Sequence, residues 1–520
     1  MKNYTFTIFI SILSFSIFAQ TPELITDFNV GEDDSFSNWD YEGIRYGDII
    51  ILPIISNEIG EELAVIDNGE LQILKDINEG IEDGSPKNFT SFKGMVYFTA
   101  EDEENGEALW RTDGTEAGTE LFFDPGIVNA SPRSLTVAKN GWLYYSYSGS
   151  IFRTDGEVNE EAEEDGSMFY ISGNASTNYS KYKEGIAYLN KNNDDSFSLM
   201  YLEEGPAVEL AKTSITDFFA DGIGVAPLQN GLMFSIDDSD EENAIYIYDE
   251  ATQEISLHEI DGEVIQARRT LDFTEDKNII WVQAKGYYSI NGNVGEEELL
   301  FDSENSSATQ GEGLISGAYN DHAAFVVTEG FFGDDFLIFT DGTAAGTSNL
   351  RTLSSYTSDI LMYNKYGFMA DGTSNGFDPT LLKIDFEQGI VDLVYNFSES
   401  SLNTDSVRPI EIQDGYLYFI SNLDASIGAE LYRIDLEIMV NTEEEIEQDK
   451  FDISQSGNSF NINMSESKNV DVKLLNSLGQ VVLQKNVLSN NSFQLGVQSG
   501  SYFMSVTTGG KVVSKLVYIY

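Results

Sequence analysis

The sequence predicts an all-β protein: a β-propeller of four-stranded blades, followed by a small Ig-like β-sandwich. Three observations predict this architecture. A unit of about 46 residues recurs along most of the chain, its apolar runs have the alternation of strands, and the pattern changes near residue 441. A four-stranded unit of roughly this length is typical of one propeller blade.

The repeat is marked by a polar, usually acidic residue that closes the third strand of each unit. A second marker lies in step with it, a turn glycine before an alternating strand, as at residues 94–98 and 415–419. Nine units are counted, seven to nine blades fit the pattern, and an open solenoid is the structural alternative. The closing residues are Asp67, Asp113, Asp155, Glu203, Asp249, Asn291, Asp341, Asp385 and Asp435.

The clearest unit contains four short strands joined by turns. Lys93-Gly94 and Asp113-Gly114 supply the turn residues, since glycine accepts the positive φ that tight turns require. Residues 23–28 resemble a fourth strand, so we expect them to close the ring by completing the last blade. The strands are predicted at residues 88–92, 95–100, 107–112 and 120–124.

Composition excludes several function classes. The net charge of −60 repels phosphate backbones, which argues against nucleic-acid binding. The absence of cysteine excludes disulfides and thiolate chemistry. His258 and His322 are the only histidines, which argues strongly against a Ser-His-Asp triad or a multi-histidine zinc site, and both are interpreted as structural.

The chain is divided into four predicted segments. Residues 1–19 have the features of a secretory signal peptide: Lys2, an apolar stretch, and Ala19 as a small residue for cleavage. An uncleaved membrane anchor is the alternative, but the stretch is short for a span, and no other segment is apolar enough to cross a bilayer. The propeller is expected over residues 20–440, an acidic linker over 441–452 and the small module over 453–520.

Residues 107–119 and 337–347 resemble the Glu-Leu-Trp-x-x-Asp-Gly-Thr-x-x-Gly-Thr repeats of secreted bacterial proteins, many of them called hyalin-like. Only these two copies keep the whole turn; the other units keep the strand and lose it. The resemblance implies a repeat fold and no single biochemical activity. In propeller geometry this Asp-Gly turn is expected on the face opposite the acidic loops.

The last module resembles the C-terminal sorting domain of the type IX secretion system of Bacteroidota. The resemblance implies export across the outer membrane, the secretion machinery as a partner, and a location in the medium or on the outer cell surface. An Ig-like β-sandwich used for adhesion is the alternative. The matching residues are the turn Leu478, Gly479 and Gln480, the strand residues Gly500 and Tyr502, and Lys515 in the terminal strand.

Acidic loops between second and third strands supply the candidate metal ligands. Ca²⁺ takes about six to eight oxygen ligands, which carboxylates converging on one face could provide. None of the loops has the spacing of an EF-hand, so a solvated acidic surface is the favoured interpretation and calcium the alternative cofactor. The candidates are Asp102, Glu104, Asp237, Asp238 and Asp240.

No catalytic residues can be singled out among the 88 acidic residues. The sequence therefore favours a secreted or cell-surface binding protein, an adhesion module for an extracellular glycan or protein. The alternative is a carboxylate-dependent polysaccharide hydrolase or lyase on the same scaffold, because fold alone does not fix function.

Overall fold

The structure is a computed structural model, and none of the residues it describes is α-helical. It divides the chain into two compact units, residues 1–436 and residues 437–520. The described residues are 22–31, 33–36, 42–123, 131–147, 150–163, 179–192, 194, 196–213, 224–236, 244–265, 267–272, 278–282, 285–291, 293, 296–302, 316–328, 335–354, 357–372, 379–397, 407–423, 426–436, 452–456, 459–463, 469–475, 481–488, 493–494, 500–508 and 511–519.

The described part of the first unit forms nine four-stranded antiparallel sheets, here called blades 1 to 9. In each of blades 1 to 8 the four strands lie side by side in chain order. Blade 1 is Ile44–Tyr46, Ile49–Ser56, Gly60–Asp67 and Glu70–Lys75; blade 2 is Lys87–Phe92, Met95–Asp102, Gly106–Thr112 and Glu120–Phe123; blade 3 is Arg133–Val137, Leu143–Tyr147, Ser150–Thr154 and Asn159–Glu163.

Blades 4 to 6 continue the series, with a short hairpin, Glu259–Ile260 and Glu263–Val264, between blades 5 and 6. Their strands are Tyr179–Tyr182, Gly185–Lys191, Phe197–Leu202 and Val208–Lys212; Ala226–Leu228, Gly231–Ile236, Ala244–Asp249 and Glu254–Leu257; and Ala267–Asp272, Asn278–Val282, Gly286–Ile290 and Glu298–Asp302.

Blades 7 and 8 complete the regular part of the ring. Their strands are Ser316–Tyr319, His322–Thr328, Asp335–Thr340 and Ser348–Leu353; and Leu361–Tyr363, Tyr366–Asp371, Thr380–Asp385 and Ile390–Asn396.

Blade 9 closes the ring with a strand from the other end of the chain. Val407–Gln413, Tyr416–Ser421 and Glu430–Asp435 are its first three strands, and Glu23–Thr26 is its fourth. Leu24 lies opposite Tyr432 in the antiparallel pairing. The predicted count of nine units and the predicted closing strand are both confirmed, so the ring is a nine-bladed β-propeller.

Each sheet packs both of its faces against the neighbouring blades, so the hydrophobic core lies between blades. Leu109 and Trp110 follow one another in the third strand of blade 2, and consecutive strand residues point to opposite faces. Trp110 packs with Val65 of blade 1, whereas Leu109 packs with Leu143 of blade 3. Burial of an apolar side chain of this size stabilises a fold by about 1.5–3 kcal/mol. Trp110 is therefore a packing residue.

The two faces of the ring carry different connections. Lys93, in the turn between the first and second strands of blade 2, donates from Nζ to the carbonyl of Asp155 at the third-strand end of blade 3, at 2.9 Å. We call this side the turn face. Gly84, in the connection between blades 1 and 2, donates from its backbone N–H to the carbonyl of Glu61 beside the loop between second and third strands, at 2.9 Å. We call that side the linker face, and the Asp-Gly turns lie opposite it as expected.

The second unit contains two antiparallel sheets among its described residues, one of three strands and one of four. Two sheets are what the predicted sandwich requires; its Ig-like character stays a prediction, as do the segment limits 20–440, 441–452 and 453–520. The strands are Asp452–Ser456, Ser459–Asn463 and Phe493–Gln494; and Asn469–Leu475, Val481–Leu488, Gly500–Thr508 and Lys511–Ile519.

The sorting-domain residues are partly placed by these strands. Gly500 and Tyr502 lie in the strand Gly500–Thr508, and Lys515 lies opposite Met504 in the neighbouring strand. The turn Leu478, Gly479 and Gln480 lies outside the described residues, as does the predicted signal peptide.

Candidate functional site at the inner strands

The Asp-Gly-Thr turn that marks the repeat uses its polar groups internally. Asp113 Oδ1 accepts the backbone N–H of Thr115 at 2.9 Å and its hydroxyl at 2.6 Å. Thr112 and Thr119 share a hydroxyl bond of 2.8 Å beneath the turn. The Thr115 bonds lower the pKa of Asp113, because they stabilise the charged carboxylate.

The second complete copy repeats this geometry. Asp341 Oδ1 accepts the N–H of Thr343 at 2.9 Å and its hydroxyl at 2.7 Å, and Thr340 and Thr347 share a hydroxyl bond of 2.6 Å. Two copies with the same bonds on the turn face indicate a scaffold element. In both copies the turn therefore uses Oδ1 of its aspartate to hold its own loop.

Two buried glutamates fasten the connections between blades. Glu62 accepts the backbone N–H groups of Ile77, at 2.6 Å, and Asn78, at 3.3 Å. Glu430 accepts the Ser35 hydroxyl at 2.6 Å and the Phe28 N–H at 3.3 Å. Burial raises the pKa of each glutamate from 4.5 to about 7, against the lowering effect of these hydrogen bonds.

The sequence analysis did not single out Glu62 and Glu430, although the sequence carries a signal for both. Each lies five residues before the closing aspartate of its unit, and each faces an Asp-apolar-Asn element after a fourth strand. These elements are residues 76–78 and 27–29. The shared position of Glu62 and Glu430 is recognisable in the sequence when the connections between blades are aligned together with the strands.

The candidate calcium ligands are only partly described. Asp102 Oδ1 accepts the backbone N–H groups of Glu104, at 2.9 Å, and Asn105, at 2.7 Å, and Oδ2 accepts the Asn105 amide at 2.7 Å. This carboxylate shapes its own loop. Within the described residues no group of three or more potential metal-binding side chains occurs. Asp237, Asp238 and Asp240 lie outside them, and the calcium site stays a prediction.

The two histidines lie in packed surroundings. His258 is buried, and its Nε2 lies 2.8 Å from Oε1 of the buried Glu297. Burial lowers the pKa of His258, and Glu297 opposes that effect. His322 stacks on Phe339, with ring centroids 5.2 Å apart. Both positions fit the structural role expected from the sequence.

The first strands of the blades surround the central axis, where those of neighbouring blades contact one another. On these strands basic residues outnumber acidic ones, whereas the whole chain has 88 acidic and 28 basic residues. Five consecutive blades, 9, 1, 2, 3 and 4, each place one basic residue on the first strand, and Glu411 is the one acidic residue there. The basic residues are Arg408, Arg45, Lys87, Arg133 and Lys181.

Within the described residues, most of these cations lack a carboxylate partner. In the described part of the chain, Arg133, Lys181 and Arg408 form no ion pair, and the first two are exposed. Lys87 lies 3.1 Å from Glu107, with its side chain 54% exposed. Basic residues of the third strands differ, since Arg111, Arg153 and Arg433 pair with Glu120, Glu160 and Glu23. We call the five first-strand cations the cationic arc.

Three members of the arc share one position in their blades. Lys87 lies opposite Thr99, Arg133 opposite Ser146 and Arg408 opposite Ile420, which are corresponding sites on the second strands. All three stand at the beginning of the first strand, where the chain arrives from the linker face. Arg45 and Lys181 correspond to each other nearer the turn face, opposite Ile50 and Ile186.

A β-bulge follows each of the three cations at the linker face. The register shifts between Lys87 and Thr90, between Arg133 and Thr136, and between Pro409 and Glu411. Asn88 and Ser134 take φ values of 59° and 60°, a conformation that residues other than glycine rarely adopt and that costs roughly 1 kcal/mol or more. Bulges redirect neighbouring side chains and are frequent beside functional sites.

Comparison with solved structures finds distant propellers. The chain shows 12% identity and a TM-score of 0.40 with a prolyl endopeptidase, covering 86% of this chain and 56% of that one, so it spans less than two thirds of that protein. With PorZ, described as a surface component of the type-IX secretion system of Porphyromonas gingivalis, it shows 12% identity and a TM-score of 0.28, covering 92% and 75%.

The WD40 domain of SCAP from fission yeast gives 7% identity and a TM-score of 0.38, covering 68% of this chain and 95% of that domain. Similarities this weak carry no argument about activity. No curated protein matches the chain. Among the described residues, no helix is long and apolar enough to span a membrane.

One family model matches the end of the chain. Residues 456–519 fit the secretion system C-terminal sorting domain. The match covers the strands of the second unit from Ser459–Asn463 onward and implies export, with a location in the medium or on the cell surface. Residues 456–519 thus form a type IX C-terminal sorting domain, and the described blades of the first unit precede it in the same chain.

Proposed function

We propose that this protein is exported by the type IX secretion machinery and acts outside the cell as a ligand-binding propeller, with its site where the first strands open onto the linker face. The observation that carries the proposal is the cationic arc. Among the described residues, cations without an ion pair are unexpected on the inner strands of a chain with a net charge of −60. The presence of these cations on the first strands favours a role in binding a ligand.

The proposed ligand is an extracellular glycan or protein, and adhesion is the form of binding that we expect. One observation weighs against the alternative, a carboxylate-dependent hydrolase or lyase. Such enzymes use one carboxylic acid of raised pKa facing the substrate. The two glutamates raised to about 7, Glu62 and Glu430, are engaged with the blade connections instead.

The two functions are separated by one pair of measurements on the secreted full-length chain. The protein is screened on an array of glycans and extracellular proteins, and in parallel incubated with a panel of polysaccharides while new reducing ends are measured. Binding without turnover is the expected result. Steady release of reducing ends would establish the enzyme instead, and replacing acidic residues of the linker face would then locate its carboxylates.

A further inference from the structure

The connection between blades 5 and 6 is the only one that forms a separate hairpin among the described residues. We call residues 258–265 the connecting hairpin. Its two strands pair with each other and join neither neighbouring sheet. Two backbone bonds attach it to Ile245 in the third strand of blade 5. The His258 N–H donates to the Ile245 carbonyl at 2.8 Å, and the Ile245 N–H donates to the carbonyl of Ile265 at 3.2 Å.

Side chains supply further attachment for the connecting hairpin. Ile260 and Ile265 are buried among apolar residues of blades 5 and 6, such as Ile280. Lys285, between the second and third strands of blade 6, lies 2.9 Å from Glu263, so the hairpin lies at the linker face. A segment outside the blade sheets opens at a lower free energy than the central strands of those sheets.

A titratable side chain lies at the base of the connecting hairpin. His258 is 1% exposed, and its Nε2 lies 2.8 Å from Oε1 of Glu297, which is 6% exposed and directly precedes the fourth strand of blade 6. Nδ1 of His258 has no hydrogen-bond partner among the described residues. With the Nε2 proton on the side of the carboxylate, a second proton would create a buried N–H at Nδ1 without an acceptor. A buried donor left in this way is costly.

The charges around His258 do not offset this cost. Within the described residues, Glu297 is the charged group that acts on the imidazole; burial lowers the pKa of His258, and Glu297 opposes that effect without reversing it. In water a histidine has a pKa of about 6.5, so His258 binds a proton more tightly when the hairpin is open. The acidic residues of the hairpin itself are exposed to solvent: Glu259, Asp261 and Glu263.

We propose that the connecting hairpin is a proton-sensitive switch, which stays packed against blades 5 and 6 while His258 is neutral and opens when His258 is protonated. Opening brings the imidazolium into water and exposes Ile260 and Ile265 at the linker face. Because the open state binds the proton more tightly, each pH unit below about 6.5 raises the ratio of open to closed molecules by up to about tenfold. This behaviour is independent of the ligand that the propeller binds.

Hydrogen exchange of the full-length chain, corrected for the intrinsic pH dependence of exchange, measures this opening. Amides of residues 258–265 should lose protection several-fold between about pH 7.5 and about pH 5.5, while the strands of blade 5 keep theirs. In His258→Gln the protection of the hairpin should no longer depend on pH. His322→Gln is the matched control, because it removes the only other histidine, which stacks on Phe339, and it should leave the loss intact.

The buried glutamates do not produce the same signal. Burial raises the pKa of Glu62 and of Glu430 to about 7, so their protonation stabilises the folded ring as the pH falls. The effect on the hairpin has the opposite sign. A loss of protection at acidic pH that is confined to residues 258–265 therefore reports on His258.

Nuclear magnetic resonance of histidine-labelled protein provides a second measurement, because the chain has two histidines and His258→Gln assigns their signals. The His258 signal should titrate below about 6.5. Glu297→Gln should lower its midpoint further, since it removes the charge that favours the imidazolium. A midpoint at or above that of an ordinary histidine, equal protection of the hairpin at both pH values, or a loss of protection that persists in His258→Gln would each overturn the switch.

Discussion

Arg433 of the last blade lies against Gly69 of the first blade. The guanidinium is so close that any β-carbon at position 69 would collide with Nη1, and Gly69 has a φ of +79°. Arg433 also donates to Glu23 of the closing strand at 2.8 Å and lies 4.5 Å from the centroid of the Tyr416 ring. One side chain thus connects the strand, the turn and the blade that close the ring.

The same arrangement joins other neighbouring blades. Tyr97 lies opposite Arg111, and Arg111 Nη1 donates to the carbonyl of Gly156 in the next blade at 3.0 Å. Arg153 Nη1 likewise donates to the carbonyl of Glu203 at 2.9 Å. A third-strand arginine that reaches the next blade is therefore a recurrent device of this propeller.

Replacing Arg433 by lysine should destabilise the protein, because an ammonium group cannot stack on Tyr416 and pair with Glu23 in the forked geometry of a guanidinium. We expect a loss of about 1–2 kcal/mol in the free energy of unfolding, measured by urea denaturation. Arg351→Lys is the control, since Arg351 makes one loose contact of 3.9 Å with Asp371. Equal losses in both variants would contradict a role for Arg433 in closing the ring.

Gly118→Ala should disrupt the turn of blade 2. A β-carbon at Gly118 would collide with the carboxylate of Asp113, and Gly346 stands in the same relation to Asp341. We expect a loss of about 1–3 kcal/mol, seen as a lower melting temperature. Gly205→Ala is the matched control, because open space surrounds a β-carbon at Gly205. A melting temperature in Gly118→Ala as high as in this control would show that the turn tolerates rearrangement.

The buried glutamates predict a pH dependence of stability. The pKa of Glu62 and of Glu430 is about 7 in the folded protein against 4.5 for an ordinary glutamate. Because the folded pKa is the higher one, their contribution to stability is complete below about pH 4.5 and is lost as the pH rises through about 7. The expected loss is on the order of 3 kcal/mol for each glutamate.

Glu62→Gln and Glu430→Gln test this prediction, because glutamine does not titrate. The free energy of unfolding should fall less steeply between pH 4.5 and 7 in each variant than in the parent protein. Glu79→Gln changes an exposed glutamate of the same connection and serves as the control. An unchanged slope in the two buried variants would mean that these carboxyl groups titrate in the ordinary range.

Much of the fold could be predicted from local patterns. The strand alternation, the turn glycines and the resemblance of residues 23–28 to a fourth strand were enough to predict nine blades and the closing strand. These features depend on neighbours along the chain. The contact between Arg433 and Gly69 depends on closing the ring, so no local pattern contains it.

The candidate site was harder to predict. Acidic residues are abundant and form visible runs in the loops, whereas the cationic arc consists of single basic residues. Four of them lie about 40–50 positions apart, and the fifth, Arg408, lies near the other end of the propeller sequence. The common level of Lys87, Arg133 and Arg408 became visible only through strand register, which the bulges after Lys87 and Arg133 alter. A bulge follows from how a strand fits its neighbours, and the sequence around Asn88 and Ser134 carries no glycine to mark it.

The central claim, export of a propeller by its C-terminal sorting domain, is tested most directly by deleting residues 451–520 in a bacterium with an active type IX system. Immunoblotting of periplasm, cell surface and medium compares the truncated chain with the intact one, and a strain lacking the secretion machinery provides the control. The truncated propeller should accumulate in the periplasm while the intact chain reaches the surface or medium. Normal secretion of the truncated chain would contradict the claim.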